Sequence, residues 1–163
     1  MAVTPTVFER ISAAFSPPII DLFASRINHQ LDNYVSWKPD PSALFIDALT
    51  INWAQFTNSY AFPPFCLISR CLQKVVQEKA SMIIVVPIWT TQVWFTRLLS
   101  LLIDNPKMFQ VTKNVLITPV LGNTHPLSPH LWLMPCSISG LPSLTAIFLQ
   151  QLPKSLCPRA NPP

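Results

Sequence analysis

The sequence predicts an α/β protein: three layers, α-β-α, about a mostly parallel Rossmann-like sheet of five to six strands. Three observations carry that prediction. Ser81-Met82-Ile83-Ile84-Val85-Val86-Pro87 is an uninterrupted, largely β-branched apolar run, the pattern of a central strand covered on both faces. Leu67 to Lys79 places Leu67, Ile68, Cys71, Leu72, Val75 and Val76 on one helical face and Arg70, Gln73, Lys74, Gln77 and Glu78 on the other. Strand-like and helix-like segments alternate from Ile19 to Thr118, and a β-α-β-α-β order implies parallel pairing with helices on both sides.

The elements follow in order. Thr6-Val7-Phe8-Glu9 fits a capping box, and Phe8, Ile11 and Phe15 share the face of the helix that it opens. Pro17 and Pro18 end that helix, and Ile19 to Ala24 reads as a short buried strand with one acid, Asp21, inside it. A turn or short helix from Ser25 to Leu31 leads to a second strand, Tyr34-Val35-Ser36-Trp37, which Lys38-Pro39-Asp40-Pro41 terminates. Ser42 to Trp53 reads as loop plus a helical turn. A third strand, Tyr60 to Phe62, stops at Pro63-Pro64, because two prolines cannot donate to a ladder. After the central strand, Trp94, Phe95, Leu98, Leu99 and Leu102 repeat at helical spacing up to Asp104-Asn105-Pro106. Val115 to Thr118 reads as a further strand, Leu131 to Met134 as an edge strand and Leu144 to Leu152 as a last helix.

The 163 residues, half of them apolar, suit one domain over 1–150, followed by a proline-rich tail over 151–163 that is expected to be disordered. Only 11% of residues are charged, and 18 prolines stand against 2 glycines. The net charge of +4 reflects few acids, and Lys and Arg are scattered, so DNA is an allowed partner that no basic cluster specifies. The first residues lack a basic then apolar leader, and the longest apolar run, Met82 to Trp89, falls short of the about 20 residues a membrane span needs. The expectation is an intracellular protein, cytoplasmic or nuclear, with no membrane partner. Cys66, Cys71, Cys136 and Cys157 form no C-x-x-C pair, and His29, His125 and His130 do not complete a zinc pattern. Reduced, mostly buried thiols and no metal are therefore expected.

In a doubly wound sheet, ligands bind outside the carboxyl ends of the strands, where Asp21, Asp47 and the Phe62 to Phe65 turn are expected to meet. A carboxylate at a strand end accepts hydrogen bonds from a nucleoside, and an aromatic after Pro-Pro stacks on a base drawn out of a duplex. Each residue also has a structural reading. Asp21 caps a turn or pairs with Arg26, Asp47 sits at a helix N-terminus, Phe65 is a core aromatic, and Trp89, Trp94 and Phe95 fill the sheet–helix interface.

These segments in this order resemble a known module. Asp21 to Arg26, Tyr34 to Trp37, Asp40-Pro41, Asp47-Ala48-Leu49 with Trp53, Tyr60 to Phe65, Val86 to Phe95 and Ser139-Gly140-Leu141-Pro142 are similar to part of DIRS-like retrotransposon polyproteins. That part lies between reverse transcriptase/RNase H and the tyrosine recombinase, and the likeness covers most of the chain. The module resembles, more distantly, bacteriophage-type Dam DNA N6-adenine methyltransferases. The resemblance implies that S-adenosylmethionine binds near Asp21, Ala24 and Asp47. It also implies that Phe62-Pro63-Pro64-Phe65 stands where those enzymes carry Asn- or Asp-Pro-Pro-Tyr, and that DNA and the other polyprotein domains are partners.

Two departures shape the expected activity. Phe62 replaces the residue that accepts a hydrogen bond from the target amino group, and Ala24-Ser25-Arg26 replaces a glycine-bearing cofactor loop. Loss of one oriented group of this kind costs about two to three orders of magnitude in rate by analogy with oxyanion-hole deletions, so little or no methyl transfer is expected. The alternative is a structural spacer between the polyprotein's enzymes, with no ligand. A nuclease would need several converging carboxylates, more than Asp21 and Asp47 supply. The chain's two ends are those expected of a fragment of a degenerate element.

Overall fold

The computed structural model describes residues 1–112, 115–117 and 130–152. The expectations for Thr118, His125, Cys157 and the tail from residue 153 onward lie outside them. The chain runs β1 (Ala2–Val3), α1 (Pro5–Ala14), β2 (Asp21–Ala24), β3 (Tyr34–Ser36), β4 (Phe45–Ile46) and β5 (Ser59–Ala61). It continues through α2 (Ile68–Glu78), β6 (Ser81–Pro87), α3 (Val93–Ser100), β7 (Phe109–Gln110), β8 (Leu116–Ile117), β9 (Trp132–Ser139) and α4 (Pro142–Gln151). Short 3-10 turns at Ala48–Thr50, Trp53–Gln55 and Phe65–Leu67 complete it.

The main sheet has seven strands in the order β4-β3-β2-β5-β6-β9-β7. Strands β2 to β6 are parallel, and β9 pairs antiparallel with β6 through seven register partners, from Ser81↔Ser139 to Pro87↔Leu133. Alternate side chains of β6 serve two cores. Met82, Ile84 and Val86 join Ile68, Leu72 and Val75 of α2 and Trp94, Phe95 and Leu98 of α3, whereas Ile83 and Val85 join Val7, Phe8 and Ile11 of α1. The three-layer Rossmann-like arrangement follows from this period-2 alternation with both faces covered.

Several elements differ from the sequence reading, each for a physical reason. Helix α1 starts earlier than the Thr6 box: Thr4 is the N-cap and Pro5 opens the helix, where a missing N–H is no loss. The first strand begins at Asp21, not Ile19, and β4 appears within the segment read as loop. On α2 the buried face is Ile68, Cys71, Leu72 and Val75, with Val76 turned outward at 37% exposure. Leu116–Ile117 does not enter the main sheet but pairs antiparallel with Ala2–Val3. The expected edge strand at Leu131 to Met134 is instead the long interior strand β9. Pro135 is tolerated there because its carbonyl points away from β6 and accepts from Lys107 N at 3.1 Å, so its missing donor falls on the β7 side, beyond the two residues of β9 that β7 pairs. The sheet thus has seven strands, beyond the five to six expected.

Cys71 and Cys136 are buried free thiols, their pKa values pushed up to about 12 by burial, whereas Cys66 is an exposed free thiol. No helix among the described residues is long and apolar enough to cross a membrane.

The C-terminus of α2 ends in a Schellman pattern: Lys79 N reaches Val76 O, Ala80 N donates to Val75 O at 3.1 Å, and Lys79 takes the left-handed conformation at φ 53°. Gly140 lies directly on this end, where a Cβ would stand 2.0 Å from Val75 O. Gly140→Ala is expected to lower unfolding stability by about 3 kcal/mol, since backbone rather than a flexible side chain must yield. Lys79→Gly is expected to raise it by about 0.5 kcal/mol by relieving the left-handed residue. Urea denaturation of both variants reads the two signs.

Candidate functional site

Numbered within the main sheet alone, the strand order is 3-2-1-4-5-7-6, in which 3-2-1-4-5 is the doubly wound order. The order reverses between β2 and β5, so the chain leaves the carboxyl ends of these two strands in opposite directions and opens a crevice there. A cleft of about 550 Å³ occupies that place, within the range that holds a nucleoside-sized ligand.

Five of the residues singled out from sequence line it: Ala24 after β2, Asp47 after β4, and Phe62, Pro63 and Pro64 after β5. Ser25, read from sequence with Ala24 and Arg26 as the cofactor loop, lines it too; sequence reasoning gave no site role to Met1, Leu22, Phe23, Asn28, Trp37, Ala48, Leu49 or Leu67, which also line it. Trp37 had a signal, an aromatic just past a strand and ahead of a proline-bracketed turn.

Local chemistry shapes each wall. In the turn after β2, Asn28 Oδ1 accepts from Ser25 N at 2.7 Å and from Ser25 Oγ at 2.9 Å, closing a loop that contains no glycine. Asp47 is held at φ 60° and ψ 97°, a strained conformation for a residue with a side chain. Its N–H donates to Ser36 O at 2.7 Å, and its Oδ1 accepts from Leu49 N at 3.1 Å to cap the first 3-10 turn. Thus the N-terminal capping reading and the cleft-lining reading of Asp47 both hold. Phe62 is buried with Tyr60, Ile83 and Val85, and it presents no hydrogen-bonding group to the cleft.

Asp21 and Phe65 fall elsewhere. Asp21 is the first residue of β2, not its last, and is absent from the cleft wall. It is 3% exposed, and its carboxylate accepts from Phe23 N at 3.3 Å and from Gln30 N at 3.1 Å. Register from Asp21↔Tyr34 to Ala24↔Ser36 leaves β2 one residue longer than β3, so the Phe23 bond sits at a bulge. Asp21 therefore performs the turn-capping role, and its pairing with Arg26 does not form. The ring of Phe65 lies edge-on to Trp89 at 5.0 Å and beside Phe62 at 6.3 Å, a packing position outside the cleft wall.

Burial raises the Asp21 pKa to about 6, against the two backbone hydrogen bonds and the charge of His29, which lower it. The hydroxyl of Tyr60 is buried without a hydrogen-bond partner among the described residues, and burial and the Asp21 charge hold its pKa well above the ordinary value. Burial also lowers the pKa of the Met1 amino group. Among the described residues no group of three or more His, Cys, Asp or Glu is placed to hold a metal ion.

Comparison with models of known protein families finds no match, and neither does comparison with curated proteins.

A carboxyl group with a raised folded-state pKa stabilises the fold while protonated and loses that contribution as pH rises through the folded value. With an ordinary value of 3.8 and a folded value of about 6, the Asp21 contribution falls across pH 4 to 7 by about 2 kcal/mol. Asp21→Asn is expected to gain stability relative to the unsubstituted chain as pH rises over that window, with a flat difference outside it. Chemical denaturation at several pH values tests this, and a difference independent of pH would refute it.

Proposed function

We propose that the chain is a methyltransferase-like domain of a DIRS-like retrotransposon polyprotein whose cleft binds S-adenosylmethionine or S-adenosylhomocysteine and performs no methyl transfer. One observation carries this reading. The cleft at the strand-order reversal is lined by Ala24, Asp47, Phe62, Pro63 and Pro64, five of the seven residues that the resemblance assigned to the cofactor and the Pro-Pro turn.

The chain's own residues define what the site can do. The Asp47 carboxylate accepts hydrogen bonds from ribose hydroxyls or an exocyclic amine, and Ala24-Ser25 lines the cleft as a glycine-free turn. When bound, S-adenosylmethionine supplies an electrophilic methyl group. Phe62 cannot accept a hydrogen bond from a target amino group, so nothing at the turn raises the nucleophilicity of that nitrogen. Phe65 is held against Trp89 rather than offered to an incoming base. Both features favour binding over turnover. A cleft filled by side chains would support the spacer alternative, and about 550 Å³ stands open. The intracellular setting and DNA as partner belong to this same reading.

Calorimetry should detect S-adenosylhomocysteine binding with a Kd below about 1 mM, a free energy of about −4 kcal/mol. No heat at that concentration would remove the cofactor from the proposal. Phe62→Asn restores the acceptor at the cost of a buried ring, so its fold is checked by circular dichroism first. Adenine methylation by the folded variant, measured by mass spectrometry of digested DNA and absent from the unsubstituted chain, would establish the enzyme lineage.

A further inference from the structure

One buried charge holds the segment between β2 and β3 from inside. Asp21 is 3% exposed, and two backbone N–H groups meet its two oxygens separately, Phe23 N at Oδ1 (3.3 Å) and Gln30 N at Oδ2 (3.1 Å). Only the ionised carboxylate offers both oxygens as acceptors, since protonation makes one of them a donor. Gln30 stands at the far end of the turn, and its Nε2 also donates to Val3 O of β1 at 2.7 Å. Between Phe23 and Gln30 runs the Ser25–Asn28 turn, and both of those residues line the cleft.

Among the described residues no other side chain shares the task. Tyr34 of β3 and Tyr60 of β5 are the register partners of Asp21; Tyr34 donates its hydroxyl proton to Asp40 at 2.8 Å, and the Tyr60 hydroxyl bonds to no described residue. Helix α1 packs Val7, Phe8 and Ile11 into the core that holds Tyr60, and its Glu9 and Arg10 are exposed. Arg26 and Asp32 are exposed as well, and no ion pair reaches Asp21. His29 is the titratable neighbour. Its ring stacks on Tyr34 at 4.5 Å, and its charge lowers an Asp21 pKa that burial raises to about 6.

We infer that Asp21 is a proton-operated latch on the cleft wall: as a carboxylate it holds Gln30 and fixes the Ser25–Asn28 turn, and on protonation it releases Gln30 and lets that turn loosen. The latch needs no ligand; only its meaning for binding rests on the proposed function. Local and global order then answer acid with opposite signs. Protonation removes a buried charge, so the fold as a whole gains, while the turn loses a charge-assisted hydrogen bond. An aspartate that only supported the fold would move both together.

Amide hydrogen exchange of the full chain, read by NMR at about pH 7.5 and about pH 5 and corrected for the intrinsic exchange rate, tests this. It uses no ligand, so its failure is distinct from a failure of cofactor binding. Protection at Gln30 should fall at least about tenfold on acidification, the loss of one hydrogen bond to a charged group, while protection at Ile84 in β6 holds or rises. Asp21→Asn offers one acceptor and one donor in place of two acceptors, so its Gln30 should show the low-pH protection at both pH values. His29→Gln, at an exposed position, removes the neighbouring titration and should retain the full fall, which keeps the test decisive if Asp21→Asn does not fold. Protection at Gln30 unmoved by acid, a parallel fall at Ile84, an equal fall in Asp21→Asn, or a fall abolished in His29→Gln would each overturn the inference.

Discussion

Five consecutive side chains, Met82 to Val86, lie at zero exposure, so both faces of β6 and both of its edges have to be covered at once. That double burial determines the rest. Odd positions call for α1 on one face, even positions for α2 and α3 on the other, while β5 and β9 close the two edges. With β5 fixed parallel beside β6 and β2 beside β5, the strand order must turn back toward β3 and β4, and the crevice opens where it turns. The cleft is thus a product of core packing before it is a product of any residue within it.

Elements governed by local pattern were legible. The β-branched run of β6 and the amphipathic face of α2 need no knowledge of distant partners to be seen. The carboxyl-end site was legible for a related reason: Pro63-Pro64 must end a strand, and strand ends collect at the reversal. Elements governed by their neighbours were not. Pro135 argues against an interior strand until Lys107 is seen to approach its carbonyl. Leu116–Ile117 resembles any short strand, and only the position of Ala2–Val3 draws it out of the main sheet.

Asp21 shows the same limit within the site. Its place in an apolar run attracted attention, and a functional and a structural reading fitted equally well. A bulge is a mismatch between two strands, so no single strand's sequence displays it. The carboxylate that looked like a ligand contact serves instead as a shape element: by fixing Phe23 and Gln30, it sets the path of the Ser25–Asn28 wall without touching the cleft. Trp37 is the converse, a residue read as the end of a strand that lines the opening.

Pro135 has a further effect at the scale of many molecules. Beyond the two residues paired with β7, the outer margin of β9 offers a proline nitrogen with no hydrogen, while the carbonyls of Pro135 and Ser137 are already taken by Lys107 and Ile103. A stray strand arriving there finds neither a donor at residue 135 nor free acceptors beside it. For a chain with only 11% charged residues, which has little electrostatic repulsion to keep copies apart, this margin resists edge-to-edge aggregation by chemistry rather than by charge.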